Sequence, residues 1–288
     1  MIPTFSEAIV CYEAISKAER AKSGRPCEAT VKNTIKGTRQ LCRAARIGLD
    51  SLVSELTRKK LDDAIIELMS RGLSRVSVWS FVSQFRSLFA RWTRPYYRDF
   101  GWEIPELELP VFRARPSRYI RPDPEMLAKV KKWYSSLDGE LWFLSTMMLE
   151  FAMRNGDILR LTNENFVERE GRMFLRYTPH KTELTSGRTV FWPIHPEIWA
   201  KFNDIGRLPC LDVSKEMFAE MNRQLRSLGF KGSKAAYELR KICIDHVYQK
   251  FGAEMATSIS GDDIKTITRY YADPSQPNIG NTRIVDLL

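Results

Sequence analysis

Apolar side chains in residues 1–112 recur at intervals of three and four, which is the spacing of one face of an α-helix. The pattern predicts four helices and little else in this part of the chain. A serine or threonine stands where a cap is needed at the beginning of the first, third and fourth helices. The predicted helices cover residues 6–22, 28–47, 57–72 and 74–92.

The pattern changes after residue 122. Asp123 followed by Pro124 predicts the beginning of a helix, because proline suits the first helical position. Three short apolar runs, separated by turn residues, then predict a small antiparallel meander before helices return. The predicted strands cover residues 165–167, 173–177 and 188–193. After the helix that begins near Asp123, the predicted helices cover 140–153, 195–202, 214–228, 234–251, 253–259 and 263–271.

Residues 103–124 separate the two patterns and contain five prolines. Proline fixes φ and lacks an amide hydrogen, so this stretch cannot form a helix or a central strand. We predict a first domain at residues 1–112, an extended linker at 113–122 and a second domain at 123–288. The linker region is basic and carries Arg113, Arg115, Arg118 and Arg121.

Composition narrows the class of protein. With 43% hydrophobic and 28% charged residues the chain is globular, and no apolar run reaches the roughly 18 residues of a membrane helix. The first residues lack the basic start, apolar stretch and cleavage site of a secretion signal. Five scattered cysteines without a CxxC pair indicate neither disulfides nor a zinc site. A cytoplasmic protein without a metal or other cofactor is the simplest interpretation.

The net charge of +10 is concentrated in one part of the chain. Residues 1–118 hold 21 Lys and Arg against 13 Asp and Glu, and the rest hold 24 against 22. In the second predicted helix, five basic residues each come directly after a residue of the apolar face, with no acidic residue among them. We call them the basic stripe: Lys32, Lys36, Arg39, Arg43 and Arg46. A merely solvated face is the alternative, but such faces usually alternate acids and bases. The stripe, together with Arg86 on the fourth helix, therefore favours binding to phosphates.

Common catalytic signatures are absent from the sequence. There is no Walker loop, HExxH, GxSxG or metal-spaced group of histidines and carboxylates. With three histidines in the chain, a histidine-based triad has few candidates. Any chemistry therefore depends on other groups.

Three segments of the second domain resemble the tyrosine recombinases of the phage-integrase type, in the order that this family shows. The family's first arginine motif is matched by MMLEFAMRNGDILRL at residues 147–161, and Arg154 is the matching arginine. The family's lysine hairpin is matched by YTPHKTELTSGRTVFWPI at residues 177–194, and the lysine is Lys181. The helical first domain likewise resembles the family's core-binding domain.

The third segment joins YELRK to DDIKTITRYYAD within residues 237–273, and Arg240 matches the family's second arginine. The sequence departs from the family at two supporting positions. Tyr237 stands where the family has a histidine, and Gly261 or Asp262 stands where it has a second histidine or a tryptophan. A tyrosine can still donate a hydrogen bond to a phosphate oxygen, whereas an aspartate would repel the phosphate.

Two adjacent tyrosines match the family's nucleophile. Counting six residues from the apolar anchor Ile264 selects Tyr270, whereas the local YAD pattern selects Tyr271. Adjacent helical residues point about 100° apart, so only one of them faces the phosphate. Tyr271 shares an apolar, inward face with Ile264 and Ile267, and this favours Tyr270 as the nucleophile.

The resemblance implies a mainly α (α+β) protein, in which a helical core-binding domain precedes a helix-rich catalytic domain with a small antiparallel sheet. It implies a site-specific recombinase or integrase that cuts and rejoins DNA through a covalent 3′-phosphotyrosyl intermediate. The tyrosine attacks the phosphorus, the two arginines meet at the surface and hold the phosphate, and Lys181 protonates the leaving 5′ oxygen. Tyr237 supports them, and no cofactor is required.

Double-stranded DNA is the implied partner, clamped between the two domains by a tetramer of chains. The apolar tail at residues 284–288 would dock on a neighbouring subunit or pack on its own domain. One alternative function is a DNA-binding protein with the recombinase fold and little or no cleavage activity. A more distant alternative is an unrelated helical RNA- or DNA-binding protein in which the motif matches are coincidence. It predicts no hairpin around Lys181 and no convergence of Arg154, Arg240 and Tyr270.

Overall fold

The computed structural model describes residues 1–105, 119–183, 187–205, 215–232 and 234–271. The chain divides into two compact units, Met1–Pro116 and Ser117–Leu288. The described part of the first unit is helical, and that of the second combines helices with one small antiparallel sheet. The predicted mainly α fold class is therefore confirmed. None of the helices in the described ranges has the length and apolar content needed to span a membrane.

The first unit consists of helices around one apolar core. Its elements are α1 Phe5–Ser23, α2 Glu28–Ala44, α3 Arg58–Ser70, α4 Arg75–Leu88 and the short α5 Arg94–Asp99. Helices α2 and α4 pack closely against each other. At their contact a Cβ on Gly37 would lie 2.6 Å from the Cβ of Gln84, so only glycine fits there without a shift.

Capping residues explain where several helices begin. Thr57 and Ser74 accept hydrogen bonds from the backbone amides at the third positions of α3 and α4, as the sequence predicts. The prediction of Ser6 as the first cap is wrong. Thr4 caps α1 instead, because its hydroxyl and backbone amide exchange hydrogen bonds with Glu7 in a capping box.

Helix α2 ends at Ala44, three residues before its predicted end. The chain leaves the helix through Arg46, whose φ is +56°. The last residue of the basic stripe therefore lies in a turn after the helix. The short helix α5 has no counterpart in the sequence prediction.

The second unit contains a three-stranded antiparallel sheet in the order β1-β2-β3, as the predicted meander requires. Its strands are β1 Phe166–Arg169, β2 Arg172–Tyr177 and β3 Val190–Pro193. Leu175 and Tyr177 are two residues apart on β2 and pair with Phe166 and Val190 on its two neighbours. All four are buried, because alternate residues of a strand face the same side.

Helices surround this sheet and supply most of the second core. They are α6 Pro124–Ser135, α7 Gly139–Leu149, α8 Asn155–Ile158, α9 His180–Glu183, α10 Pro196–Asp204, α11 Lys215–Ser227, α12 Ala236–Ser260 and α13 Ile264–Tyr271. Asp123 caps α6, as predicted, by accepting a hydrogen bond of 2.7 Å from the amide of Met126. Helix α12 is interrupted at Gly252, where the sequence predicts a break between two helices. Helix α7 ends at Leu149, four residues before the predicted end.

Part of the predicted linker is fixed to the second unit. The Arg121 guanidinium donates to both carboxylate oxygens of Asp245, at 2.7 and 3.2 Å. The amide of Tyr119 donates to the carbonyl oxygen of Tyr270 at 3.4 Å. The other predicted linker arginines, Arg113, Arg115 and Arg118, lie outside the described residues, as does the apolar tail at 284–288.

Candidate active site

Two arginines of the second unit meet at one carboxylate. Arg154 directly precedes α8, after a turn in which Ala152 adopts a φ of +50°. Arg240 lies near the beginning of α12. Both guanidinium groups donate to Asp262, which stands between α12 and α13, and the bond from Arg240 Nη2 is 2.5 Å long. The structure therefore brings together the two arginines that the sequence singles out.

This meeting point is inside the unit and not at its surface, contrary to the sequence-based expectation. The side chain of Arg240 is 0% exposed, and that of Arg154 is 16% exposed. Nη1 of both arginines and Nε of Arg240 have no hydrogen-bond acceptor among the described residues. Buried donors without an acceptor are costly. A phosphate oxygen could bond to these three groups only if the side chains that cover them moved.

Neighbouring groups keep Arg240 charged despite its burial. Burial by itself disfavours the guanidinium cation, but the Asp262 carboxylate and the phenol groups of Tyr237 and Tyr177 outweigh that effect. The pKa of Arg240 is consequently raised above its ordinary value. Tyr237 therefore lies beside the arginine that it precedes by three residues, as one turn of a helix allows.

A second carboxylate connects Arg154 with the lysine segment. Asp157 Oδ1 accepts a hydrogen bond of 2.9 Å from the amide of His180, and Asp157 Oδ2 lies 3.7 Å from Arg154 Nη1. Lys181 follows His180 in the short helix α9, which stands between β2 and β3. Lys181 is exposed. Strands β2 and β3 pair on either side of the Lys181 segment, and the interpretation of the motif matches as coincidence does not predict this pairing.

The two candidate nucleophiles have different surroundings. Burial raises the pKa of the Tyr271 phenol, and the charge of Arg240 acts in the opposite direction. Tyr271 is thus within electrostatic reach of the arginine site. Its ring also packs on Tyr119, with the ring centroids 5.3 Å apart. No comparable interaction with the arginines is present for Tyr270 among the described residues.

The prediction that Ile264, Ile267 and Tyr271 of α13 share one inward face is only partly correct. Ile267 is fully buried, and Tyr271 packs against the same apolar cluster of α12 and α13. Ile264, however, is 45% exposed. The charge of Arg240 acts on the partly buried Tyr271 phenol, so Tyr271 lies near Arg240 although it packs inward. Inward packing of Tyr271 therefore does not separate it from the site.

Sequence reasoning missed two members of this cluster. Asp157 links Arg154 to α9, and Tyr177 lies close enough to Arg240 to affect its pKa. Both residues fall within the segments that resemble the recombinase motifs, and that position is the signal that singles them out. In the described part of the chain, no group of three or more His, Cys, Asp or Glu side chains is arranged to hold a metal ion.

The basic stripe is exposed to solvent along its whole length. Lys32 forms an ion pair with Glu28 one turn earlier, at 2.5 Å. Within the described ranges, Lys36, Arg39 and Arg43 form no ion pair. Arg86 on α4 is exposed as well. These cations are therefore free to bind an external anion.

A second basic cluster in the first unit was not predicted. Arg91, Arg94 and Arg98 are exposed, and their spacing of three and four places them on one side of the chain at α5. They line one groove together with Trp102. Their spacing would have predicted a basic cluster from the sequence, but only together with the short helix α5, which the sequence analysis did not predict.

The helical first unit, the second unit with its three-stranded sheet and the paired arginines together show the fold of the tyrosine recombinases, as the sequence resemblance predicts. One solved structure with this fold is a lambda integrase dimer bound to a core site, with a TM-score of 0.65 and 14% identity over 91% of this chain and 95% of that chain. Another is the XerH recombinase in a post-cleavage complex with a palindromic difH substrate, with a TM-score of 0.62 and 12% identity over 85% and 77% of the two chains. A third is the Tn1549 transposon integrase in complex with a circular intermediate DNA, with a TM-score of 0.60 and 11% identity over 95% and 96%. At these identities the likeness establishes the fold. No protein-family model matches the sequence, and no curated protein matches it significantly.

Proposed function

We propose that this protein is a site-specific DNA recombinase or integrase that cuts and rejoins strands through a 3′-phosphotyrosyl intermediate. The observation that carries the proposal is the meeting of Arg154 and Arg240 at Asp262, with N–H groups that have no hydrogen-bond acceptor among the described residues. Tyr271 lies within electrostatic reach of Arg240. The fold supports the proposal, because the lambda, XerH and Tn1549 proteins with this fold are all bound to DNA in their solved structures.

In the proposed reaction the two guanidinium groups bind the non-bridging oxygens of the scissile phosphate. They stabilise the charge that develops in the transition state. The Tyr271 oxygen forms a bond to phosphorus while the bond to the 5′ oxygen breaks, and the phenol proton passes to solvent water. Lys181 gives a proton to the departing 5′ oxygen. Attack by a 5′ hydroxyl then reverses these steps and releases the tyrosine.

Tyr271, and not Tyr270, is our proposed nucleophile. Burial raises the pKa of the Tyr271 phenol, and the nearby charge of Arg240 offsets part of that rise, which places Tyr271 beside the arginine site. The sequence argument for Tyr270 assumed that the inward face leads away from the phosphate. The charge of Arg240 acts on Tyr271 although Tyr271 packs inward, and this removes that assumption.

The proposed partner is double-stranded DNA. The basic stripe and Arg86 would contact its phosphates, because these cations are exposed and four of the stripe's five members have no ion pair with described residues. Phosphate contacts of this kind hold a protein on DNA without reading the sequence. Assembly into a tetramer, with the tail at 284–288 docked on a neighbouring subunit, is a further proposal that rests on the family resemblance alone.

Trapping of the covalent intermediate tests the proposal. The full chain is incubated with sheared genomic DNA from the organism that encodes it and then denatured, and peptides that carry a nucleotide are identified by mass spectrometry. We expect an adduct on Tyr271, none with Tyr271→Phe, and an adduct with Tyr270→Phe. An adduct that survives Tyr271→Phe and disappears with Tyr270→Phe would move the nucleophile by one residue.

A second candidate function is DNA binding with little or no cleavage. The observation that favours it is Asp262, which already occupies a donor of each arginine. Under this alternative the wild-type chain binds DNA but yields no covalent adduct under any of the conditions above.

A further inference from the structure

The arginine site contains the carboxylate of Asp262, whose negative charge opposes the binding of a phosphate by both arginines. Asp262 accepts hydrogen bonds from Arg154 and Arg240, and its side chain is only 19% exposed. Asp157 adds a second carboxylate 3.7 Å from Arg154. Two carboxylates thus face two guanidinium groups, and their formal charges cancel. A phosphate that enters this site meets no net positive charge.

The backbone around Asp262 holds this carboxylate in place. Its amide donates to Ser260 Oγ at 3.1 Å, and Arg240 Nη2 also donates to the Ser260 carbonyl oxygen at 3.2 Å. Gly261 has a φ of +63°, and a Cβ on it would lie 2.6 Å from Cγ of Pro179. The turn between α12 and α13 is therefore packed against the segment that precedes Lys181.

The position of Asp262 also connects the arginines with the tyrosine helix. Asp262 stands two residues before the beginning of α13, and Tyr271 is the last residue of that helix. A movement of Asp262 away from the arginines therefore displaces the turn from which α13 begins.

We propose that Asp262 is an internal competitor of the DNA phosphate: it occupies the arginine pair in the free protein and withdraws when a phosphate binds. This inference rests on the proposed function of the same site. The arrival of phosphate is then coupled to the placement of the tyrosine helix, so that the protein is restrained from cleaving until DNA is fully engaged.

The neutral variant Asp262→Asn separates competition from a purely structural role. Asparagine keeps the shape of the side chain and one acceptor oxygen but removes the charge. If Asp262 competes with phosphate, the loss of one charge beside the arginines raises phosphate affinity, on the order of tenfold or more. If Asp262 only positions the arginines, the same variant binds phosphate equally or less tightly.

The measurement is binding of inorganic phosphate to the full chain at constant ionic strength, followed by the rise in thermal unfolding temperature with phosphate concentration. The matched control is Asp263→Asn, because Asp263 is an adjacent, exposed carboxylate with no contact to either arginine. We expect tighter binding for Asp262→Asn and wild-type binding for Asp263→Asn. Unchanged or weaker binding by Asp262→Asn overturns the proposal.

A second neutral variant, Asp262→Ser, repeats the test if the asparagine variant does not fold. If circular dichroism shows that neither folds, Asp262 is a fixed counter-ion that cannot withdraw, and the proposal is wrong. The proposed function can fail independently of this inference. If Asp262→Asn binds phosphate more tightly but no covalent DNA adduct forms, Asp262 competes with phosphate and the proposed cleavage activity is wrong. If an adduct forms on Tyr271 but Asp262→Asn does not change phosphate affinity, the proposed cleavage activity stands and the competition by Asp262 is wrong.

Discussion

A single buried guanidinium, that of Arg240, joins the carboxylate of Asp262 to the carbonyl oxygen of Ser260. Nη2 alone bonds to both acceptors, and Nε and Nη1 remain without an acceptor among the described residues. Lysine would keep the positive charge but lacks these two further N–H groups in a planar fork. We expect Arg240→Lys to lower the yield of covalent adduct by about 100-fold or more. DNA affinity, measured by fluorescence anisotropy, should change little, because the basic stripe is intact.

The control for Arg240→Lys is Arg223→Lys, at an exposed arginine that is paired with Glu220 on its own helix. This control should leave both adduct yield and affinity unchanged. If Arg240→Lys forms the adduct at the wild-type level, the guanidinium group of Arg240 is not required for the cleavage step.

The sequence predicts the place of some residues in the candidate site but not that of others. Arg154, Lys181 and Arg240 were predictable because each lies in a segment with a local pattern of its own. The sequence also showed an acid near the phosphate position, but not that Asp262 bridges two arginines. That contact joins residues more than a hundred positions apart, as in the bond from Arg154, and no local pattern encodes it.

Among the elements, α2 and α4 are fixed against each other by the close approach at Gly37. Alanine usually stabilises a helix relative to glycine by about 1 kcal/mol. Here the added Cβ would lie 2.6 Å from the Cβ of Gln84 and 3.1 Å from the carbonyl oxygen of Phe81. We expect Gly37→Ala to lower the free energy of unfolding by about 1–3 kcal/mol, because the two helices must move apart.

Urea unfolding measures this effect. The control is Gly48→Ala in the same unit, where the nearest heavy atom to a new Cβ is 3.9 Å away. An increase in stability for Gly37→Ala would mean that the two helices separate without cost.

The limits of the elements were predictable where a side chain sets them. Thr57, Ser74 and Asp123 each cap a helix through one local hydrogen bond, so the cap residue itself marks the beginning. The ends of α2 and α7 were predicted too late. Arg46 and Ala152 take a left-handed φ soon after these ends, without a glycine to announce the turn. This conformation costs roughly 1–2 kcal/mol for such residues, and tertiary packing has to impose it.

For the whole molecule, the net charge of +10 predicts DNA binding that weakens steeply with salt. We expect the triple variant Lys36→Gln, Arg39→Gln and Arg43→Gln to lower the slope of log affinity against log salt concentration by about 2 to 3. These cations are exposed and have no ion pair with described residues, so their counterions are released when phosphates bind.

A control with the same loss of charge replaces three cations that already form ion pairs on other helices of the first unit: Lys22, Arg58 and Arg71. This control should leave the slope close to that of the wild type. An equal decrease in both variants would show that overall charge, and not the basic stripe, attracts the DNA.

The contact between Tyr119 and the last turn of α13 joins the first and last described segments of the second unit. About 150 residues separate these two segments, and the entropy of closing so long a loop opposes the contact early in folding. Contacts between distant parts of a chain form slowly for this reason. We therefore expect α13 to dock last, so that a chain still emerging from the ribosome, or one that has only half refolded, does not yet hold the proposed nucleophile Tyr271 in place.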